Sequence, residues 1–241
     1  MQKLLIYTHK ITNRSRYVFR LFFVEHLGLE IEITDNQEKL LSWSGPKLSY
    51  AQAPVADELF FSARNLLQET GIREQNISVF DWENRKVFFS TGKSSALPFD
   101  PFSCAFYLVS RYEEYLPHIR DKLDRFDAHS SLAWEHGFLE IPVVNHWIVL
   151  VGEILQSRFP ELKIKKRKYA FVPTIDIDNA YAYRMKGVMR STGGYLRALM
   201  NFDFADFRMR TRVLLKLERD PYDTYDFQLE MQKKYKFHPI Y

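Results

Sequence analysis

Apolar and polar positions alternate in short runs through the first 160 residues, and each run predicts one element of a mixed α/β fold. Strict alternation indicates a strand with one face in solvent, and a helical repeat that stops at glycine indicates a capped helix. The predicted elements are a buried strand at 4–8, a helix at 15–27 ended by Gly28, a strand at 29–33, a short strand at 47–51, and a segment at 59–67 that fits a strand or a helix.

The pattern then changes from strands to helices. Predicted strands at 77–82 and 86–90 flank a short turn, which favours a hairpin. Asp100 before Pro101 predicts a helix start, because Asp is a good N-cap and Pro suits the first turn. Apolar spacing extends this helix to Leu116. A polar loop is predicted at 118–136, and a further helix is predicted to begin at Pro142. This order favours an α/β domain.

The composition narrows the possible classes of protein. The chain has 241 residues, 46% of them hydrophobic, and a formal charge of +4, so we expect a folded core and no nucleic-acid partner. Cys104 is the single cysteine, which excludes an internal disulfide, and we expect it to be buried. No apolar run reaches about 18 residues, and the first is too short for a signal peptide, so we expect no membrane span and a cytoplasmic location.

A basic run at 161–168 marks a predicted boundary between a domain at 1–165 and a second at 166–241. The second begins with an apolar stretch, 171–178, that we interpret as a buried strand. Alternation places Thr174, Asp176 and Asp178 on one face, with both carboxylates at the carboxyl end, where parallel sheets bind ligands. Their mutual repulsion favours a bound cation, with one Asp as ligand and the other as base. Alternatively, both acids cap the next loop.

The rest of the second domain is basic. Residues 181–219 hold nine Lys/Arg against three Asp/Glu, which is typical of an exposed helical pair, and Gly193 and Gly194 are expected to interrupt it. A turn at 220–223, a helix at 224–235 and the entry of a strand at 236–241 are predicted to follow.

Three segments carry a resemblance to a known family. Thr174–Asp178, with the sequence Thr-Ile-Asp-Ile-Asp, resembles the first motif of the NodB-type polysaccharide deacetylases. Ser110–Tyr115, and Gly137–Pro142 with Trp147 after it, are similar to an N-terminal extension that precedes the deacetylase domain in a group of bacterial proteins. The resemblance implies that Asp176 is the catalytic base and that Asp178 binds a divalent metal, zinc or similar.

The resemblance also implies a domain organisation. Residues 1–165 would be an α/β accessory domain, and 166–241 would be an incomplete deacetylase domain, the first strand and following helices of a (β/α) barrel. The substrate would be an N- or O-acetylated glycan. The family's second motif, a histidine pair about one helical turn apart, is absent from this sequence. We therefore expect a truncated catalytic domain that is inactive by itself.

No other part of the sequence completes such a site. The seven histidines include no pair spaced by three or four residues, and we expect His129 and His136 to make local contacts and His146 to be a partly buried structural residue. The alternative hypothesis is a non-enzymatic glycan- or protein-binding module.

Overall fold

The chain folds into two compact units, Met1–Arg167 (the N-terminal unit) and Lys168–Tyr241 (the C-terminal unit). The computed structural model describes residues 3–166 and 168–241. The predicted boundary, at 165/166, lies two residues before this division. That the first unit is an accessory domain and the second an incomplete deacetylase domain stays a prediction.

The N-terminal unit is built on a parallel sheet of four strands, in the order β2-β1-β3-β4, and the mixed α/β class is confirmed. The strands are β1 (Leu4–Tyr7), β2 (Ile31–Thr34), β3 (Lys47–Ala51) and β4 (Leu59–Ser62). Every pairing between them is parallel. The buried strand β1 lies in the middle of the sheet, as its unbroken apolar run predicts.

A separate hairpin joins β5 (Phe80–Trp82) to β6 (Arg85–Val87), which pair antiparallel. Glu83 and Asn84 connect them with φ values of 46° and 59°. A two-residue turn with both φ values positive matches the right-handed twist of the flanking strands. The predicted hairpin is therefore confirmed, with shorter strands than expected.

Helices complete the N-terminal unit. They are α1 (Asn13–Phe19), continued by a π-helical segment (Arg20–His26), then α2 (Gln37–Ser42), α3 (Pro101–Val109), α4 (Leu132–Glu135) and α5 (Val143–Arg158), with 3-10 turns at Tyr112–Tyr115 and Ala128–Ser130. The predicted helices that begin near 15, 101 and 142 are confirmed. Helix α2 was not predicted, and the segment predicted as a loop at 118–136 contains α4.

Phe102, in the first turn of α3, is the centre of the core. Its side chain is fully buried, and its ring centroid lies 5.0–5.8 Å from five other aromatic rings. These rings are Phe19, Phe22, Phe23, Tyr50 and Phe61. Three of them come from α1 and its π-helical extension and two from the sheet, so one side chain packs all three elements together.

Asp100 holds this turn in place. Its carboxylate is fully buried and accepts hydrogen bonds from the backbone N–H groups of Phe102 and Ser103, both at 3.0 Å, as the predicted N-cap. It also accepts from the Tyr50 hydroxyl at 2.7 Å and the Arg64 N–H at 2.9 Å. Burial raises the pKa of Asp100, although these hydrogen bonds oppose the rise.

The prediction that α3 continues to Leu116 is wrong. The helix ends at Val109, and Arg111 has a left-handed backbone with φ of 52°. The Ser110 hydroxyl donates to the Phe106 carbonyl at 2.6 Å, a local bond that competes with the helical pattern. The turn brings the buried Tyr112 to the Arg73 carbonyl, to which its hydroxyl donates at 3.0 Å.

The C-terminal unit contains α6 (Gly187–Met200), α7 (Phe204–Leu214) and α8 (Tyr225–Tyr235). The predicted helical pair is confirmed, but the predicted break at Gly193 and Gly194 is wrong, because α6 runs through both. A Cβ atom at Gly194 would collide with the guanidinium of Arg210 on α7. The glycine therefore leaves room for the Arg210 side chain against α6.

The predicted buried strand at 171–178 is not formed among the described residues. Thr174 alone makes a bridge, to Ile240, and the side chains of Phe171, Val172 and Ile177 are exposed. A single bridge covers neither face of the segment, which explains the exposure. The bridge is parallel.

Within 3–166 and 168–241, no helix has both the length and the apolar character needed to cross a bilayer. The cytoplasmic location stays a prediction.

Asp100→Ala should destabilise the N-terminal unit by about 3 kcal/mol, because it removes the cap of α3 and leaves buried donors unpaired. All four tryptophans precede residue 160, so urea unfolding followed by tryptophan fluorescence reports on this unit. Asn36→Ala, which removes the N-cap of the exposed helix α2, is the matched control and should cost only about 1 kcal/mol. Equal losses in the two variants would contradict the assigned role of Asp100.

Candidate functional site

Asp176 and Asp178 lie just beyond the bridge residue Thr174, and both are exposed. They line a groove of about 310 Å³ in the C-terminal unit. Its other polar lining residues are Asn179, Tyr222, Thr224, Tyr225 and Gln228. The structure thus places both predicted site residues on one groove.

Within the part of the chain that the structure describes, neither carboxylate has a cationic partner. Among the described residues, Asp176 and Asp178 form no salt bridge, so their charges are available to a ligand. Carboxylates are suitable ligands for a divalent cation. However, nowhere in 3–166 and 168–241 do three His, Cys, Asp or Glu side chains cluster closely enough to hold a metal. The described residues therefore provide part of a metal centre at most.

The bridge fixes the backbone that leads to the two acids. The Ile175 N–H donates to the Ile240 carbonyl at 2.9 Å, and the Ile240 N–H donates to the Pro173 carbonyl at 3.0 Å. These bonds align residues 173–175 with residue 240 as parallel neighbours. The helices α6, α7 and α8 lie between them in sequence, as in a strand–helix–strand crossover.

Asp220 is the residue of this region that sequence reasoning missed. It is 2% exposed, and its carboxylate accepts four backbone hydrogen bonds of 2.8–3.1 Å. The donors are the N–H groups of Ala182, Tyr183, Arg184 and Tyr222. Asp220 therefore joins the loop that follows the two acids to the turn beside the groove.

The hydrogen bonds also control the charge of Asp220. Burial acts to raise its pKa, but the N–H groups of Tyr183, Ala182 and Arg184 outweigh burial and lower the pKa below its usual value. The sequence signal was local: Asp220-Pro221 predicted a turn, and the Tyr222 N–H does bond to Asp220 at 3.0 Å. The bonds to residues 182–184 depend on tertiary structure, which the local pattern does not encode.

The two upstream segments of the resemblance meet in the N-terminal unit. Ser110–Tyr115 and Gly137–Pro142 both contribute to a groove of about 410 Å³. The side chain of Glu113 accepts a hydrogen bond from the Leu132 N–H at 3.0 Å, which ties the first segment to α4. Burial raises the pKa of Glu113. Within the first segment, Arg111 and Glu114 form a local ion pair.

In this unit the predictions for Cys104 and His129 are confirmed, and the prediction for His146 is wrong. Cys104 is buried as predicted, with its thiol donating to the Phe88 carbonyl at 3.0 Å. The local contact predicted for His129 is confirmed by the 2.9 Å separation of its Nδ1 from Asp127 Oδ1. His146 is exposed, so its interpretation as a partly buried residue is wrong. It precedes the buried Trp147 on α5 and faces away from the core.

Residues 4–160, well over half of the chain, match a protein family described as "Family of unknown function (DUF7033)". The chain belongs to this family. The DUF7033 match runs from β1 to just beyond α5, so it lies within the N-terminal unit and does not include Asp176 or Asp178. Comparison with curated proteins gives no match, and comparison with solved structures gives none either.

Asp220→Asn should loosen the loop at 182–184, because the amide NH₂ replaces an oxygen that accepts hydrogen bonds. We expect local opening to become easier by about 2 kcal/mol, so that these amides exchange about thirtyfold faster in hydrogen-exchange measurements. The matched control is Asp223→Asn, which alters a neighbouring side chain paired with Arg184 and leaves the backbone bonds intact. Faster exchange in both variants alike would contradict the role of Asp220.

The same measurement has a predicted pH dependence. The folded-state pKa of Asp220 is lowered, so its stabilisation is present above the usual Asp value of 3.8 and is lost as the pH falls through the lowered value. Protection of residues 182–184, corrected for intrinsic exchange, should decline over that range in the wild type and not in Asp220→Asn.

Proposed function

We propose that this chain is the N-terminal portion of a metal-dependent deacetylase-like hydrolase that acts on an N- or O-acetylated glycan. Asp176 is the base and Asp178 is a metal ligand in this proposal. The observation that carries it is the parallel bridge between Thr174 and Ile240, with both acids following directly after the bridge.

The bridge supports the proposal that the C-terminal unit is the first part of a (β/α) barrel. In such a barrel, consecutive strands are parallel neighbours joined by helical connections, and ligands bind at the carboxyl ends of the strands. Residues 173–175 and residue 240 have this relationship, with helices between them. Asp176 and Asp178 lie at the carboxyl end of the first segment, where a barrel enzyme has its catalytic groups.

The electrostatics of the groove are compatible with a cation. Two exposed carboxylates without a salt bridge among the described residues favour a positively charged ligand beside them. A bound metal would polarise the acetyl carbonyl and activate water. Catalytic zinc sites have three protein ligands, so in this proposal the others come from residues outside this sequence. The contribution of this chain would then be one metal ligand, Asp178, and a base, Asp176, that accepts a proton.

The N-terminal unit provides no evidence for or against a catalytic function. Its family is one of unknown function, and its grooves lie in a different unit from the two acids. The alternative, a non-enzymatic binding module, differs from our proposal in what it predicts for Asp178. In that case Asp178 has no special affinity for metal.

Zinc titration followed by calorimetry tests the proposed role of Asp178. We expect weak binding to the wild type, and a loss of about tenfold in affinity for Asp178→Ala, because one of two available carboxylates is removed. Glu230→Ala, which removes an exposed acid on α8, should bind as the wild type does. Equal binding by the wild type and both variants would favour the binding module.

An activity measurement tests the other part of the proposal. The 241-residue chain incubated with zinc and an acetylated chito-oligosaccharide should release no acetate, because it encodes only the base and one ligand. Zinc-dependent acetate release that disappears in Asp176→Asn would show that the site is complete within these residues and would contradict our proposal of an incomplete one.

A further inference from the structure

A second groove of about 400 Å³ lies in the N-terminal unit, away from the two segments of the resemblance. The groove is lined by a face of α5 that includes Ile148, Val149 and Gly152, and by residues 164–166, which follow α5 and belong to no helix or strand. Leu27 lies at the base, against Gly152, where a Cβ atom would collide with it. This volume lies in the range of small-molecule sites, and the base and walls are mostly apolar.

The end of the groove is formed by an unusual piece of backbone. Residues Arg20–His26 are π-helical, and the Leu27 N–H donates to the Phe22 carbonyl five residues earlier, at 3.0 Å. π-Helical turns are rare and are frequently found at functional sites. His26, the last residue of this segment, lines the groove, and its Nδ1 is buried without a hydrogen-bond partner in the described residues.

The groove is lined by more positively than negatively charged side chains. Lys165 and Lys166 line it from the segment at 164–166, and Glu153 lines it from α5. None of these three side chains forms a salt bridge within 3–166 and 168–241. The aliphatic part of the Lys165 side chain lies over Gly28. The backbone N–H of Lys165 donates to the Leu27 carbonyl at 2.8 Å, which holds residues 164–166 beside the apolar base of the groove. The excess of positive charge next to an apolar surface fits a ligand with a negative head and an apolar chain.

We propose that this groove binds a single-chain amphiphile with an anionic head group. The chain lies on Leu27, Ile148 and Val149, and the head group lies by Lys165 and Lys166. This site is independent of the proposed hydrolase site, because it lies in the other unit and uses none of the same residues.

Calorimetry with dodecanoate, kept below its micelle concentration, tests the proposal on the full chain. We expect dodecanoate to bind about tenfold more tightly than dodecylammonium, because the paired lysines attract one head group and repel the other. Val149→Trp fills the groove from a half-exposed position and should weaken dodecanoate binding about tenfold. Leu41→Trp, at a similarly exposed position on α2, is the control and should bind normally.

A second pair of variants tests the lysines, and each variant loses two positive charges. Lys165→Gln with Lys166→Gln should weaken dodecanoate about tenfold and leave dodecanol unchanged. Lys93→Gln with Lys122→Gln removes two exposed lysines elsewhere and should change neither ligand. The proposal is overturned if no binding of dodecanoate is detected, or if dodecylammonium binds as tightly as dodecanoate. It is also overturned if each control variant loses as much affinity for dodecanoate as the groove variant with which it is compared.

Discussion

The N-terminal unit depends on one buried carboxylate at the start of α3. Asp100 accepts backbone and hydroxyl hydrogen bonds from three separate parts of the chain, so it fixes α3 against β3 and the segment after β4. Two residues later, Phe102 contacts the aromatic rings of α1, its π-helical extension and the sheet. The hydrogen-bonded carboxylate of Asp100 and the large apolar side chain of Phe102 therefore act together. Asp100 sets the direction of α3, and Phe102 packs the start of that helix into the core.

The C-terminal unit is held together differently. Among its described hydrophobic residues, only Ala198 and Val213 are buried, whereas Met189, Phe202 and Phe227 are exposed. Polar contacts define its loops instead, and Asp220, with four backbone donors, is the main one. A unit with so little buried apolar area gains little from the hydrophobic effect, so these hydrogen bonds have a large share in its order.

The sequence predicted those features that depend on local chemistry. The N-cap at Asp100, the hairpin turn at Glu83 and the α/β class followed from residue type and short-range pattern. Features set by distant contacts were missed or wrongly predicted, such as the continuous helix through Gly194, where the Arg210 guanidinium of α7 occupies the space that a side chain would need. For the same reason, the pattern identified both acids of the groove but not Asp220, because three of its four backbone donors lie almost forty residues away.

The bridge between Thr174 and Ile240 has a consequence for the order in which the C-terminal unit folds. Its partners are far apart in sequence, so closing the loop between them costs conformational entropy before any contact repays it. The pairing of α6 with α7 joins neighbouring segments and costs much less. The helical hairpin should therefore form early, and the groove that carries the two acids should be assembled late, when the last segment docks.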